Sequence, residues 1–232
     1  MKSVKRFVNY FTKAEIALWC ISVLFVTVSF AIFDGENYLT FTASIIGVTS
    51  LIFNAKGNPF GQLLMVIFSV LYGVISYSFS YYGEMITYLG MTGPMALFAL
   101  ISWIKNPYKG KRSVVEVNRI GHKEIAFMLM LTVAVTAVFY FILAGFNTSN
   151  MLPSTLSVTT SFIAVYLTFR RSPLFALAYA ANDIVLIVLW VLAAMQDIAY
   201  VSVIVCFVVF LVNDLYGFFS WIKMEKSQSK GE

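Results

Sequence analysis

Ser102-Trp103-Ile104-Lys105 and Ser220-Trp221-Ile222-Lys223 are the same tetrapeptide, SWIK, and each closes a long apolar stretch just before Lys-rich sequence. One such tetrapeptide is ordinary at the end of a membrane helix, where an indole rests at headgroup level and a lysine reaches past it to water. Two copies with matching surroundings carry more information. "NAKGNP" at 54–59 and "TFRRSP" at 168–173 are both short basic turns closed by proline, and "YYGEM" at 81–85 and "AMQDI" at 194–198 are both small acidic turns. Read outward from SWIK, residues 38–105 and 149–223 form two copies of one three-helix unit.

Composition sets the environment of those units. Of the 232 residues 60% are hydrophobic and 12% charged, and the mean hydropathy is +0.84, whereas a soluble domain carries about 25% charged residues. A helix needs about 20 apolar residues to cross a hydrocarbon core. Eight such runs occur, at 16–33, 38–54, 60–82, 85–104, 125–145, 152–169, 174–194 and 199–222. They are apolar on every face, as in "IVLIVLWVLAAM" at 184–195, where a membrane β-strand would alternate. The fold class is therefore an all-α membrane protein. Its parts are an extra N-terminal helix (1–37), a first three-helix repeat (38–105), a basic segment with a linking helix (106–148), a second repeat (149–223) and a tail (224–232).

With eight spans, all 16 basic residues fall on one side: Lys2, Lys5, Arg6 and Lys13 before the first span, Lys56, the run from Lys105 to Lys123, Arg170 and Arg171, and Lys223, Lys226 and Lys230. Lys and Arg in short loops are retained in the cytoplasm, so both termini are expected there. Asp34, Glu36, Glu84 and Asp197 fall in the opposite loops. The two copies start four spans apart and so cross in the same direction. The net charge of +5 reports this topology and contact with anionic lipid; with no soluble basic domain, nucleic acid is excluded as a partner.

The first span has a basic start like a signal peptide, but "FAIFDGEN" at 30–37 lacks a small-residue cleavage site. Cys20 and Cys206 both lie within spans, as small hydrophobes, and His122 is the single histidine. Histidine-based catalysis and metal binding have no material to work with, so neither an enzyme nor a cofactor is expected. Asn147-Thr148-Ser149 has the glycosylation pattern and is read as a polar turn.

Ionisable groups within spans mark function by default, and two carboxyls lie deep: Asp183 in span seven and Asp214 in span eight, each preceded by asparagine, Asn182 and Asn213. Both lie eight or nine residues from their basic-side ends, about 12–14 Å at 1.5 Å per residue. Tyr179 lies one turn further in, Trp190 two turns further out, and Tyr216 beside Asp214. Aromatic faces with carboxylates suit a flat cation. The first copy adds Gln62, Ser69, Tyr72, Ser76 and Tyr77, hydroxyls and an amide without a carboxylate. Interhelical hydrogen bonding is the structural alternative for the asparagines.

"YGEM", "WIKNP", "NDIVLIVLW" and "NDLYGFFSW", in this order, together resemble the PnuC family of bacterial vitamin transporters across nearly the full chain. That family is similar to SWEET proteins in having three helices, a linking helix and three more, with the substrate between the halves. The resemblance implies uptake of nicotinamide riboside by facilitated diffusion, with phosphorylation trapping the product. It implies roles for Asn182 and the aromatics of span seven; where many members open this helix with tryptophans, this chain has Phe175 and Tyr179. Carriers of thiamine, riboflavin or a sugar share the fold, and a homo-oligomer is compatible with it.

Overall fold

The computed structural model describes residues 10–78, 82–148 and 150–230. Among these, eight helices are long and apolar enough to cross a membrane. They are α1 (Lys13–Phe33), α2 (Tyr38–Ala55), α3 (Pro59–Ser78), α4 (Tyr82–Lys105), α5 (His122–Gly145), α6 (Met151–Phe169), α7 (Phe175–Ala194) and α8 (Val201–Ser229). Each expected span falls on one of them. Lys2, Lys5, Arg6 and Ser149 lie outside the described residues.

The boundaries shift for local reasons. Helix α1 starts at Lys13 because Thr12 and Glu15 cap each other's backbone N–H groups. Helix α8 runs to Ser229, since Lys, Glu and Gln in its last turns propagate a helix well. Between α4 and α5 a short hairpin, β1 (Pro107–Tyr108) with β2 (Lys111–Val115), covers the basic face. Val115 N–H donates to Gly57 O at 2.8 Å, and Gln228 Nε2 donates to Val115 O at 3.0 Å.

The repeated tetrapeptide holds the two halves together. Trp221 Nε1 donates to Asn54 O at 2.7 Å and Ser220 Oγ to Ala55 O at 2.7 Å, at the end of α2. Reciprocally, Trp103 Nε1 donates to Thr168 O at 2.9 Å and Ser102 Oγ to Phe169 O at 3.0 Å, at the end of α6. A helix leaves its last carbonyls short of donors, so the last helix of each half completes the first helix of the other. The two indoles are fully buried, their centroids 5.3 Å apart, with the Phe175 ring 4.9 Å from that of Trp221. The two SWIK ends thus lie together on one side of the bundle.

The turns beneath them match atom for atom. Asn58 N donates to Phe53 O and Ser172 N to Leu167 O, both at 3.0 Å. Gly57 (φ 64°) and Arg171 (φ 58°) occupy the same left-handed position. For an arginine that conformation costs about 1–2 kcal/mol, offset by Arg171 Nη1 donating to Ser102 Oγ and Nε to Glu116 O, each at 3.0 Å.

Six helices form the core, and α1 and α5 lie against its outside. Helix α1 buries only Glu15, Ser22, Val26 and Ser29, and α5 only Met128, Thr132 and Leu143. Lys56 Nζ pins α1 through Glu15 Oε2 at 3.1 Å and lies over the Tyr10 ring. Arg170 pairs with Glu124 at the foot of α5.

Trp221→Phe and Trp103→Phe, which keep an aromatic ring but remove the indole N–H and the volume of its five-membered ring, should each lower unfolding stability by at least about 1–3 kcal/mol, because a buried carbonyl loses its donor. Thermal unfolding in detergent checks this. Since the two rings touch, the double variant should lose a different amount from the sum of the singles.

Candidate functional site

Helices α7 and α8 bring Asp183 and Asp214 face to face, with the carboxyl groups within hydrogen-bond reach of each other. Both are buried, and Asp183 Oδ2 has no further partner among the described residues. They line a small cavity of about 30 Å³ between the helices, together with Asn182, Tyr179, Tyr88 and Ser161. That volume equals one water's share of the liquid.

Asn182 is oriented by α6. Thr160 Oγ1 donates to Asn182 Oδ1 at 2.7 Å and Ser161 Oγ at 3.0 Å, which occupies the amide oxygen and leaves the amide nitrogen as the donor side. Buried Ser154, Ser157 and Ser161 continue as a polar stripe on α6. A run of Ser and Thr at helical spacing in "STLSVTTSF" at 154–162 is the sequence signal by which this face can be found.

Four predicted residues stand elsewhere. Asn213 Nδ2 donates to Ser22 Oγ at 2.9 Å and to Val209 O at 2.8 Å, so it ties α8 to α1. Tyr216 Oη donates to Glu15 Oε1 at 3.3 Å, because two residues along a helix turn a side chain about 200° away from Asp214. Gln62 Nε2 donates to Asn54 Oδ1 at 2.9 Å near the basic face and braces the α2–α3 turn. Tyr77 is 62% exposed on the outer surface of α3.

Tyr72 and Trp190 belong to an aromatic layer above the void. The Tyr72 ring lies 4.4 Å from that of Tyr88, 6.1 Å from Phe207 and 6.4 Å from Trp190, the last edge-on at 84°. Beyond this layer, toward the acidic face, is a second cavity of about 300 Å³ lined by Trp190, Tyr200, Tyr82, Glu84, Asn147 and Gln196, among others. Among the described residues no Lys, Arg or His lines either cavity.

Glu84 corrects the sequence reading, which places it in an outer loop and leaves the first half without a carboxylate. It is the third residue of α4, 5% exposed, where the helix dipole favours an acid. Tyr88, Thr92, Phe68 and Ser161 are further cavity residues that the sequence did not single out. Helix α4 widens to a π-turn at Tyr88–Thr92 just before Gly93-Pro94. A Cβ at Gly93 would meet Tyr88 O at 3.1 Å, so only glycine allows this widening without a shift.

Three likenesses accompany this geometry. The profile of a family described as nicotinamide mononucleotide transporter matches residues 37–223. The chain is 25% identical over 220 residues to the nicotinamide riboside transporter PnuC of Neisseria mucosa, covering 92% of this chain and 82% of that protein. Its fold matches the crystal structure of the vitamin B3 transporter PnuC with a TM-score of 0.81, at 22% identity over 94% of both chains.

Asn213→Ala and Tyr216→Phe should each lower the unfolding temperature in detergent, since they release α1, and should leave ligand affinity unchanged. Asn182→Ala should weaken affinity. Parallel thermal scans and ligand titrations of the same preparations separate the two effects.

Proposed function

The chain belongs to the nicotinamide mononucleotide transporter family, and from that premise we propose that it carries nicotinamide riboside across a bacterial plasma membrane by facilitated diffusion. Phosphorylation in the cytoplasm then traps the product. The basic face, with Lys56, Lys105 and Arg170, is the cytoplasmic one, by retention of positive loops.

One observation carries the choice of substrate: the central void presents two carboxyls and, among the described residues, no cation. Nicotinamide riboside is a flat pyridinium monocation bearing neutral hydroxyls. Its mononucleotide adds a phosphate of charge about −1.5 to −2. Placed about 4 Å from a carboxylate at an effective dielectric of 20, each unit of that charge is repelled by about 4 kcal/mol, with no Lys or Arg to offset it. The riboside is the better match, and it is the substrate for which the Neisseria mucosa relative is named.

In this reading Asp183 and Asp214 face the cationic ring, Tyr179 and Tyr88 offer ring faces, and the Asn182 amide nitrogen donates to a ribose oxygen. No bond of the substrate is made or broken. A void of about 30 Å³ is smaller than a nucleoside, so the bundles 38–105 and 149–223 must part to admit it. The reciprocal SWIK contacts support treating these as the two moving halves, and the π-turn at Tyr88–Thr92 supplies the least regular backbone beside the site.

Uptake of labelled nicotinamide riboside into proteoliposomes tests the proposal. Asp183→Asn and Asp214→Asn should each weaken apparent affinity about 10- to 100-fold, the worth of a charge-assisted contact. Unlabelled riboside should compete and mononucleotide should not. Equal competition by mononucleotide overturns the assignment, and stronger competition by thiamine transfers it to that cation.

A further inference from the structure

We propose that the outer cavity is a second binding station for a flat organic monocation, with the Glu84 carboxylate as its counter-charge and Trp190 and Tyr200 as its walls. The proposal rests on the reading above for the identity of the cargo. The station itself rests on the geometry around Glu84.

Glu84 is 5% exposed. Its one hydrogen bond among the described residues comes from Ser157 Oγ to Oε1 at 3.5 Å, the outer limit of such a bond, and Oε2 has no partner. The three ion pairs among the described residues all lie elsewhere. A buried carboxylate is retained when something pairs with it. A capping role would have it accept from a backbone N–H of its own first turn, and no such bond is present among the described residues.

What Glu84 does face is the cavity of about 300 Å³, at the lower end of the range for small-molecule pockets. The rings of Trp190 and Tyr200 lie 5.4 Å apart across its wall. Gln196, Asn147 and Asn150 add neutral amides at its rim. A carboxylate, aromatic faces and amides with no cation are the complement of a charged aromatic ring carrying hydroxyls. Trp190 also borders the Tyr72–Tyr88 layer, so this cavity is separated from Asp183 and Asp214 by little more than those rings. A cation held at Glu84 waits one aromatic layer above the central site.

The test uses the full chain in proteoliposomes and two cargoes of one shape: nicotinamide riboside and its neutral 1,4-dihydro form. Glu84→Gln should raise KM for the cation about tenfold, the scale of a lost charge contact, and leave KM for the neutral form unchanged. Ser157→Ala, which removes the partner and keeps the charge, should preserve the preference for the cation, and Glu84→Asp should preserve most of it. A Glu84→Gln variant that keeps the full preference overturns the station. So does one that loses both cargoes alike, which a purely structural role for Glu84 would produce. If the unaltered chain moves neither cargo, the transport reading fails by itself. Calorimetric titration with 1-methylnicotinamide then still decides the station, expected to bind the unaltered chain and to bind Glu84→Gln about tenfold more weakly, with equal binding overturning it.

Discussion

Two indole N–H groups, each given to the last carbonyls of a helix from the opposite half, are the constraint on which the arrangement depends. In a membrane no hydrophobic force draws helices together, so packing and interhelical hydrogen bonds must do it. Trp103 and Trp221 place both kinds of contact at one point, tilted against each other and each edge-on to Phe175. Because the donors sit at the ends of α4 and α8 and the acceptors at the ends of α2 and α6, the exchange fixes which helix of one half lies beside which helix of the other. It also closes the basic end of the bundle beneath the carboxyl pair.

With that end closed, the two halves are free to differ in chemistry. The second half brings Asp183, Asp214 and an asparagine steered by two hydroxyls of α6; the first brings Tyr88, Phe68 and Thr92 to the same void. A ligand with a charged ring at one end and a sugar at the other is asymmetric, and a site built of unlike walls orients it. The two α1 tethers, Glu15 with Lys56 and Ser22 with Asn213, engage opposite halves, so α1 spans the line along which those halves are proposed to part.

The eight spans were legible in the sequence because they depend on length and composition, which survive without coordinates, and the recurrence of SWIK pointed to two helix ends that meet. The site was legible in part. Asp183, Asn182 and Tyr179 lie along one face of one helix, so three- and four-residue spacing sufficed. Asn213 and Tyr216 were drawn in by proximity in the chain to Asp214, although each points toward α1. Direction around a helix axis depends on where its neighbours stand, and a stretch apolar on every face gives no stripe from which to infer it. Glu84 was hidden differently. A carboxylate beside glycine between two apolar runs reads as a turn, and only the burial of the first turn of α4 against α6 makes it part of a cavity wall.

The distribution of charge along the bundle then bears on how a cation could cross it. Carboxyls occur at two depths, Glu84 in the larger cavity and Asp183 with Asp214 in the smaller one, and between them stand the Tyr72, Tyr88 and Trp190 rings beside the serine stripe of α6. An aromatic face is itself attractive to a cation, by about 0.5–2 kcal/mol, so the Tyr72–Tyr88–Trp190 layer obstructs by its bulk and leaves the electrostatic profile nearly level. Flux through successive sites requires each to bind firmly enough to be entered and weakly enough to be left. One deep well at the carboxyl pair would hold a monocation; a second carboxylate above it and π faces between lower the whole path, and the step between stations becomes a matter of moving side chains aside. The rings can do this while the SWIK contacts at the other end stay in place.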